Sequence, residues 1–213
     1  MALSRRKFIE SIGLLGASLP FASTAIASPE KLDDEDVNKG ANGLFVQPWF
    51  ENSFLDLGDD IADANEKNKQ LIILYEQTGC PYCKELHRVN FKHPDIKRFI
   101  QANYHIVQLD FRGSREVTDF SGEVMEEREF ARRSQIHFTP TLSFFPQNPD
   151  DVAGKSGRAA EAFRLTGYWK PFHFETVLRF VRSGEYRDGN LQTYLRDRVK
   201  KLKQDGKSIE IWN

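Results

Sequence analysis

Cysteine is nearly absent: the 213-residue chain contains two. That excludes a fold held by a disulfide framework, and it excludes a zinc site built from four cysteines. Neither sign of charge is in excess, with 30 Lys and Arg against 31 Asp and Glu. Such a balance leaves no electrostatic footprint for nucleic acid or an anionic membrane surface. Past residue 27 no apolar run approaches the ~20 residues that a spanning helix needs. Repeats and low-complexity tracts are absent as well. Aromatic residues are plentiful. Seventeen Phe supply much of a core, and a chain of this length builds one without covalent staples.

The first residues read as an address. Ser4-Arg5-Arg6-Lys7-Phe8-Ile9 is followed by a mild apolar stretch from Ile12 to Ile26, interrupted by Pro20. Ala25-Ile26-Ala27 fits a small-x-small cleavage site, with cutting expected before Ser28. The paired arginine with its Phe and apolar neighbour resembles the twin-arginine export signal. That resemblance implies an exported protein in a bacterial periplasm, where disulfides persist. The plainer alternative is an uncleaved membrane anchor, for which the stretch is shorter than the ~20 residues of a spanning helix. Cleavage would remove Arg5, Arg6, Lys7 and Glu10 and is expected to leave a mildly acidic mature chain with no membrane insertion. Residues 28–45 begin polar and acidic and read as a flexible lead-in. Residues 46–213 are then the domain.

Within the domain, Phe54, Leu57, Ile61 and Ala64 recur at helical spacing, predicting a helix from Phe54 to Asn68. The continuous apolar run Leu71 to Tyr75 predicts a central strand covered on both faces. A helix opens at Pro81 and runs to Val89, and another follows Pro94. Further strands are predicted over Tyr104–Asp110, Thr141–Phe145 and Ala162–Thr166, with a small hairpin around Ser121-Gly122. Helices are predicted over Glu126–Ser134, after Pro171, and over Leu191 to Leu202. The stretch between residues 146 and 160 reads as a long polar loop. The order implies an α/β layout: a parallel β-α-β unit, an antiparallel pair and a closing helix around a central mixed sheet.

Both cysteines lie in TGCPYCKELH, residues 78–87. A bridge between residues so close removes little chain entropy, so it staples poorly and suits a pair that opens and closes. A C-x-x-C leaving a strand and opening a helix reads as a redox site. Cys80 would sit at the helix start, where unpaired N–H groups and the helix dipole favour thiolate. Such placement lowers a thiol pKa into a range of about 3.5–7.5. Pro81 fits the first turn, where its missing N–H is harmless. Cys83, one turn in, is the more buried thiol and resolves the mixed disulfide that Cys80 forms. Tyr82 is expected exposed beside Cys80, on the rim that faces a substrate.

Cys80-Pro-Tyr-Cys83 is the dipeptide motif of glutaredoxins on a chain that resembles the thioredoxin-like superfamily. YEQTGCPYCKELH (75–87), VTDFSG (117–122) and FTPTL (138–142) are most similar to periplasmic SoxW-type thioredoxins, across most of residues 71–183. The resemblance implies a thioredoxin-like fold with a small hairpin insertion. It implies that Thr139-Pro140 is the family's cis-proline site, facing the cysteines and leaving the Thr139 backbone to pair with a substrate strand. It also implies a redox-active Cys80/Cys83 pair with no other cofactor, disulfide-containing periplasmic proteins as substrates, and a membrane thiol electron donor.

Several residues depart from the family pattern. Gly79 stands where thioredoxins carry Trp. Leu74 stands where they carry a buried Asp, six residues before the first cysteine. Glu76 is the nearby candidate for proton shuttle, against its plainer reading as a solvated strand-end charge. No Gly-Gly pair follows Pro140, which argues against glutathione binding. Cys80, Cys83 and His87 offer three metal ligands, but tetrahedral sites want a fourth, and no metal is expected. Haem attachment would need His where Lys84 stands. His87 is expected on the helix surface near the site, with a role in tuning Cys83 as the sharper reading. Trp49, Trp169 and Trp212 read as packing or surface residues. The function implied is a thiol–disulfide oxidoreductase acting as a reductase. Its competitors are an oxidase or isomerase, and a binding module with an inert disulfide.

Overall fold

A computed structural model describes residues 37–206. The expected leader over 1–27, its cleavage site, the first part of the lead-in and Trp212 lie outside the described residues.

The centre of the fold is set by β1 (Gln70–Glu76), whose seven residues are all buried. Its apolar run pairs in parallel with β2 (Tyr104–Asp110) and antiparallel with β5 (Thr141–Phe144). β6 (Phe163–Thr166) pairs antiparallel with β5, giving a four-stranded mixed sheet in the order β2-β1-β5-β6. β3 (Glu116–Thr118) and β4 (Val124–Glu126) form a separate two-stranded hairpin. Alternation along β1 divides the core. Leu71, Ile73 and Tyr75 join Leu57, Ile61, Val107, Phe130 and Phe145 in one apolar layer. Ile72 and Leu74 join Phe91, Ile96, Ile100, Phe144, Phe174 and Val177 in the other.

The helices cover both faces. α1 (Leu57–Glu66) starts where the Asp56 carboxylate accepts the N–H groups of Gly58 and Asp59. The predicted start at Phe54 is therefore three residues early. Leu55 takes φ 64°, Asp56 caps, and Phe54 is left fully exposed while Leu57, Ile61 and Ala64 face the core. α2 (Pro81–Glu85) continues into a π-helical turn, Leu86–Asn90. α3 (Pro94–Asn103) and α5 (Pro171–Arg182) each have proline in the first turn. α4 (Glu127–Arg133) packs on the first layer through Phe130 and Ala131. α6 (Leu191–Gln204) has no fully buried residue. It is held by Tyr194, whose ring centroid is 5.3 Å from that of Phe180, and by Arg198, which bonds Glu175 and Thr176. The polar loop over 146–160 contains two short 3-10 turns, and it sends Val152 and Ala160 into the first layer. No helix among the described residues is long and apolar enough to cross a membrane.

The lead-in needs correction over its described part. Residues 37–45 are not loose chain. Val37, Leu44 and Phe45 are buried. Lys39 and Phe45 form an antiparallel bridge, the Val46 N–H donates to the Asn38 carbonyl at 2.9 Å, and the Gly40 N–H donates to that of Leu44 at 2.9 Å. The acidic run upstream set the character of the whole segment, although three apolar side chains at its end suffice to dock it.

Candidate functional site

The site lies where β1 ends. Gly79, at φ 77°, turns the chain from the strand into α2, and beyond its immediate chain neighbours no atom lies within 4 Å of where its Cβ would be. Cys80 follows as the residue that caps α2. Its Sγ accepts the N–H of Cys83 at 3.1 Å, so a backbone donor of the first turn points at this sulfur. Pro81 occupies the first turn as expected. Cys80 and Cys83 are disulfide-bonded. Cys83 is fully buried, and Cys80 keeps 4 % exposure.

The second wall comes from the loop before β5. The Thr139-Pro140 peptide is cis. Thr139 Oγ1 donates to Cys80 Sγ at 3.4 Å, and the Thr139 carbonyl oxygen lies 3.5 Å from the same sulfur. The next carbonyl, of Pro140, accepts the Gly167 N–H at 2.8 Å, which anchors the loop. Thr139 itself is half-buried, and neither its N–H nor its carbonyl pairs with another backbone group among the described residues. Tyr82 is exposed, as expected, and so is Phe138, which the sequence reading quoted only as part of a motif.

Behind the cysteines is a buried polar network. Glu76 and His87 are at most 1 % exposed. His87 Nε2 lies 3.0 and 3.2 Å from the two Glu76 carboxylate oxygens. A carboxylate only accepts, so Nε2 carries the ring proton and donates it. Nδ1 then accepts from the amide of Gln47, at 3.2 Å. Gln108 Nε2 donates to Glu76 and also to the Phe45 carbonyl, the latter at 2.7 Å. Neither Glu76 as a solvated charge nor His87 as a surface residue survives. The rings of Phe45, Phe50 and Phe91 surround the imidazole at centroid distances of 5.8, 5.6 and 5.0 Å. The N-terminal segment supplies two of those rings, and it was invisible to a periodicity argument on the helix alone. Glu76 lies two residues beyond Leu74 on a strand of period two, so it faces the same layer from a position closer to the cysteines. Cys83 and His87 are four residues apart along the helical path and share a face.

His87 is thus committed to Glu76 and Gln47, and the cysteines to each other. Among the described residues no group of three His, Cys, Asp or Glu side chains is placed to hold a metal ion. A surface cleft of about 1520 Å³ lies between α3, α5 and α6, away from both cysteines and from Thr139. The residues that the sequence reading missed are Val37, Phe45, Gln47, Gln108 and Phe138. Only Phe138 carried a signal there, as a large apolar residue directly before Thr-Pro.

Residues 57–182 match the family described as thioredoxin-like domain. No curated protein matches the chain. Among solved structures it is similar to a thioredoxin-fold protein from Helicobacter pylori, at 18% identity and a TM-score of 0.50, covering 69% of this chain and 97% of that one. A thioredoxin from Thermus thermophilus matches at 21% identity and TM-score 0.45, over 59% of this chain and 83% of that one. A DsbH oxidoreductase matches at 12% identity and TM-score 0.40, over 73% and 91%. At these identities the likeness is one of fold.

Proposed function

The chain belongs to the thioredoxin-like domain family, and from that premise we propose that it is an exported protein thiol–disulfide oxidoreductase, working as a reductase of periplasmic disulfides. The observation that carries the reading is the placement of Cys80 Sγ. It receives a first-turn N–H and lies 3.4 Å from Thr139, beside the cis peptide to Pro140.

In the reduced protein the Cys80 thiolate attacks a substrate disulfide. One substrate sulfur leaves as a thiolate and takes a proton, and a mixed disulfide forms. Cys83 then loses its proton and attacks Cys80 Sγ. The substrate's second sulfur leaves, and the Cys80–Cys83 disulfide remains, having given two electrons to the substrate. The substrate chain extends along Thr139, whose N–H and carbonyl offer strand-like pairing, with the exposed Pro81 and Tyr82 forming the surface it touches. Pro140 is buried, so its expected place in that surface is corrected: it shapes the loop that presents Thr139. Glu76 receives the proton of Cys83, and His87 holds the Glu76 carboxylate in place. A membrane thiol donor restores the dithiol. The SoxW-like motifs favour partners in sulfur oxidation or cytochrome maturation, and the twin-arginine leader gives the route of export.

Trapping tests the central step. Cys83→Ser should accumulate mixed disulfides through Cys80 and so identify substrates. Equal trapping by Cys80→Ser would overturn the assignment of roles. An inert structural disulfide predicts no trapping by either variant. Direction is tested by equilibration with thiol buffers. The family spans about −270 to −120 mV from reductant to oxidant, and a potential at the upper end would make the protein an oxidase. Replacing Arg5 and Arg6 with Lys should leave the protein in the cytoplasm, and continued export would remove the twin-arginine route.

A further inference from the structure

The two cysteines belong to neither main apolar layer. They form a small cluster of their own with Val37 and Phe45. Both of those residues come from the N-terminal hairpin, ahead of the region that matches the family. The hairpin is closed on itself by the Lys39–Phe45 bridge. It is tied to the domain at two points next to the redox centre: Gln108 holds the Phe45 carbonyl, and Gln47 reaches His87. Its tip approaches the loop before the cysteines, where a Cβ on Gly43 would lie 3.3 Å from Thr78 Oγ1. Cys80 is bonded to Cys83, has Thr139 on one side and shares a buried cluster with Phe45 and Val37, and it has little open surface.

We infer that Phe45 is a specificity-determining residue of this site: the hairpin that carries it closes the disulfide to small thiols, and protein partners overcome that closure. The inference rests on the oxidoreductase reading. Reduction of the bridge requires a thiolate to reach Cys80 Sγ in line with the S–S bond. That bond breaks, a mixed disulfide forms between the attacking sulfur and Cys80, and Cys83 leaves as a thiolate and is protonated. A second thiolate then attacks the reductant's sulfur, so that the two reductant sulfurs leave joined as a disulfide and Cys80 is released as a thiolate. A low-molecular-weight thiol brings no contacts that favour moving the hairpin. A protein partner adds strand pairing at Thr139 and apolar contact at the exposed rings of Tyr82 and Phe138, which adjoin Cys83 and Thr139 in the chain. Those contacts offset the local opening of a segment held by a few hydrogen bonds.

The test compares rates of reduction of the oxidised protein by glutathione and by a reduced thioredoxin. Phe45→Ala should speed reduction by glutathione about tenfold, and should change the rate with the protein dithiol much less. A folded Phe45→Ala variant reduced by glutathione at the wild-type rate would overturn the inference. So would equal acceleration with both reductants, which would mean shielding without selectivity. Should Phe45→Ala fail to fold, Phe45→Leu takes its place. It keeps apolar contact but loses the ring, and a smaller acceleration confined to glutathione is expected, with the wild-type rate again the overturning result. Reduction of a protein disulfide by the reduced wild-type protein is measured separately. Its absence would remove the oxidoreductase reading while leaving the effect of Phe45 on glutathione intact.

Discussion

Asp119 shows what one side chain can hold. Burial pushes its carboxyl up, but hydrogen bonds from the Ser121 and Ser156 hydroxyls and the backbone N–H groups of Ser121 and Glu123 outweigh this and keep it below the ordinary value. A lowered folded pKa gives stability that is complete above the unfolded-chain value and is lost as pH falls through the folded one. Asp119→Ala should therefore cost about 2 kcal/mol at pH 7, with four donors left unmet. Urea unfolding should show that gap narrowing as the pH drops below about 4. Glu76 answers to a kinetic measurement. Glu76→Gln should slow resolution of the mixed disulfide about tenfold at neutral pH, with the difference closing as pH rises and solvent deprotonates Cys83. Stopped-flow pH profiles would check this. At this scale the sequence was readable where a residue's role depends on its neighbours in the chain. Cys80, Pro81 and Cys83 are such a case, because helix starts are local. It was unreadable for the Glu76–His87 pair, because what buries His87 is a ring thirty-seven positions upstream at Phe50 and another at Phe45.

Among the elements, strands with continuous apolar runs were the easiest to place, since burial on both faces leaves one reading. Element ends were harder. α1 begins at its capping carboxylate rather than at the first apolar residue of the periodic pattern. The turn after α2 opens to π geometry without Pro or Gly to announce it. Composition misleads over 37–45, because it averages over a stretch in which three residues, Val37, Leu44 and Phe45, do the packing. The connection between β2 and β3 shows how tightly such joints are set. The buried Glu127 carboxylate accepts the N–H groups of Asp110 and Arg115 at 2.9 and 3.3 Å and pairs with the Arg115 guanidinium. A Cβ on Gly113 would fall 2.0 Å from Glu127 Oε2. Gly113→Ala must displace that carboxylate from its donors, and it should lower stability by about 2–3 kcal/mol in denaturant unfolding.

For the molecule as a whole, the layout of a mixed sheet between helices is legible from the order of elements only together with the C-x-x-C and Thr-Pro motifs, and the family match ends at Arg182, the last residue of α5. α6 lies beyond that boundary and buries no residue fully. Removal of residues 190–213 should leave a folded protein whose thermal midpoint falls by about 5 °C, as Phe180 loses Tyr194 and Glu175 loses Arg198. Unfolding of the truncated chain at room temperature would show instead that α6 is integral. The sulfur bridge spans three peptide bonds at the rim of the sheet, with neither apolar layer depending on it. It behaves like a clasp fastened under a flap, beside a case that is already finished. Oxidised and reduced forms should melt within about 5 °C of each other, because opening the bridge leaves both apolar layers intact.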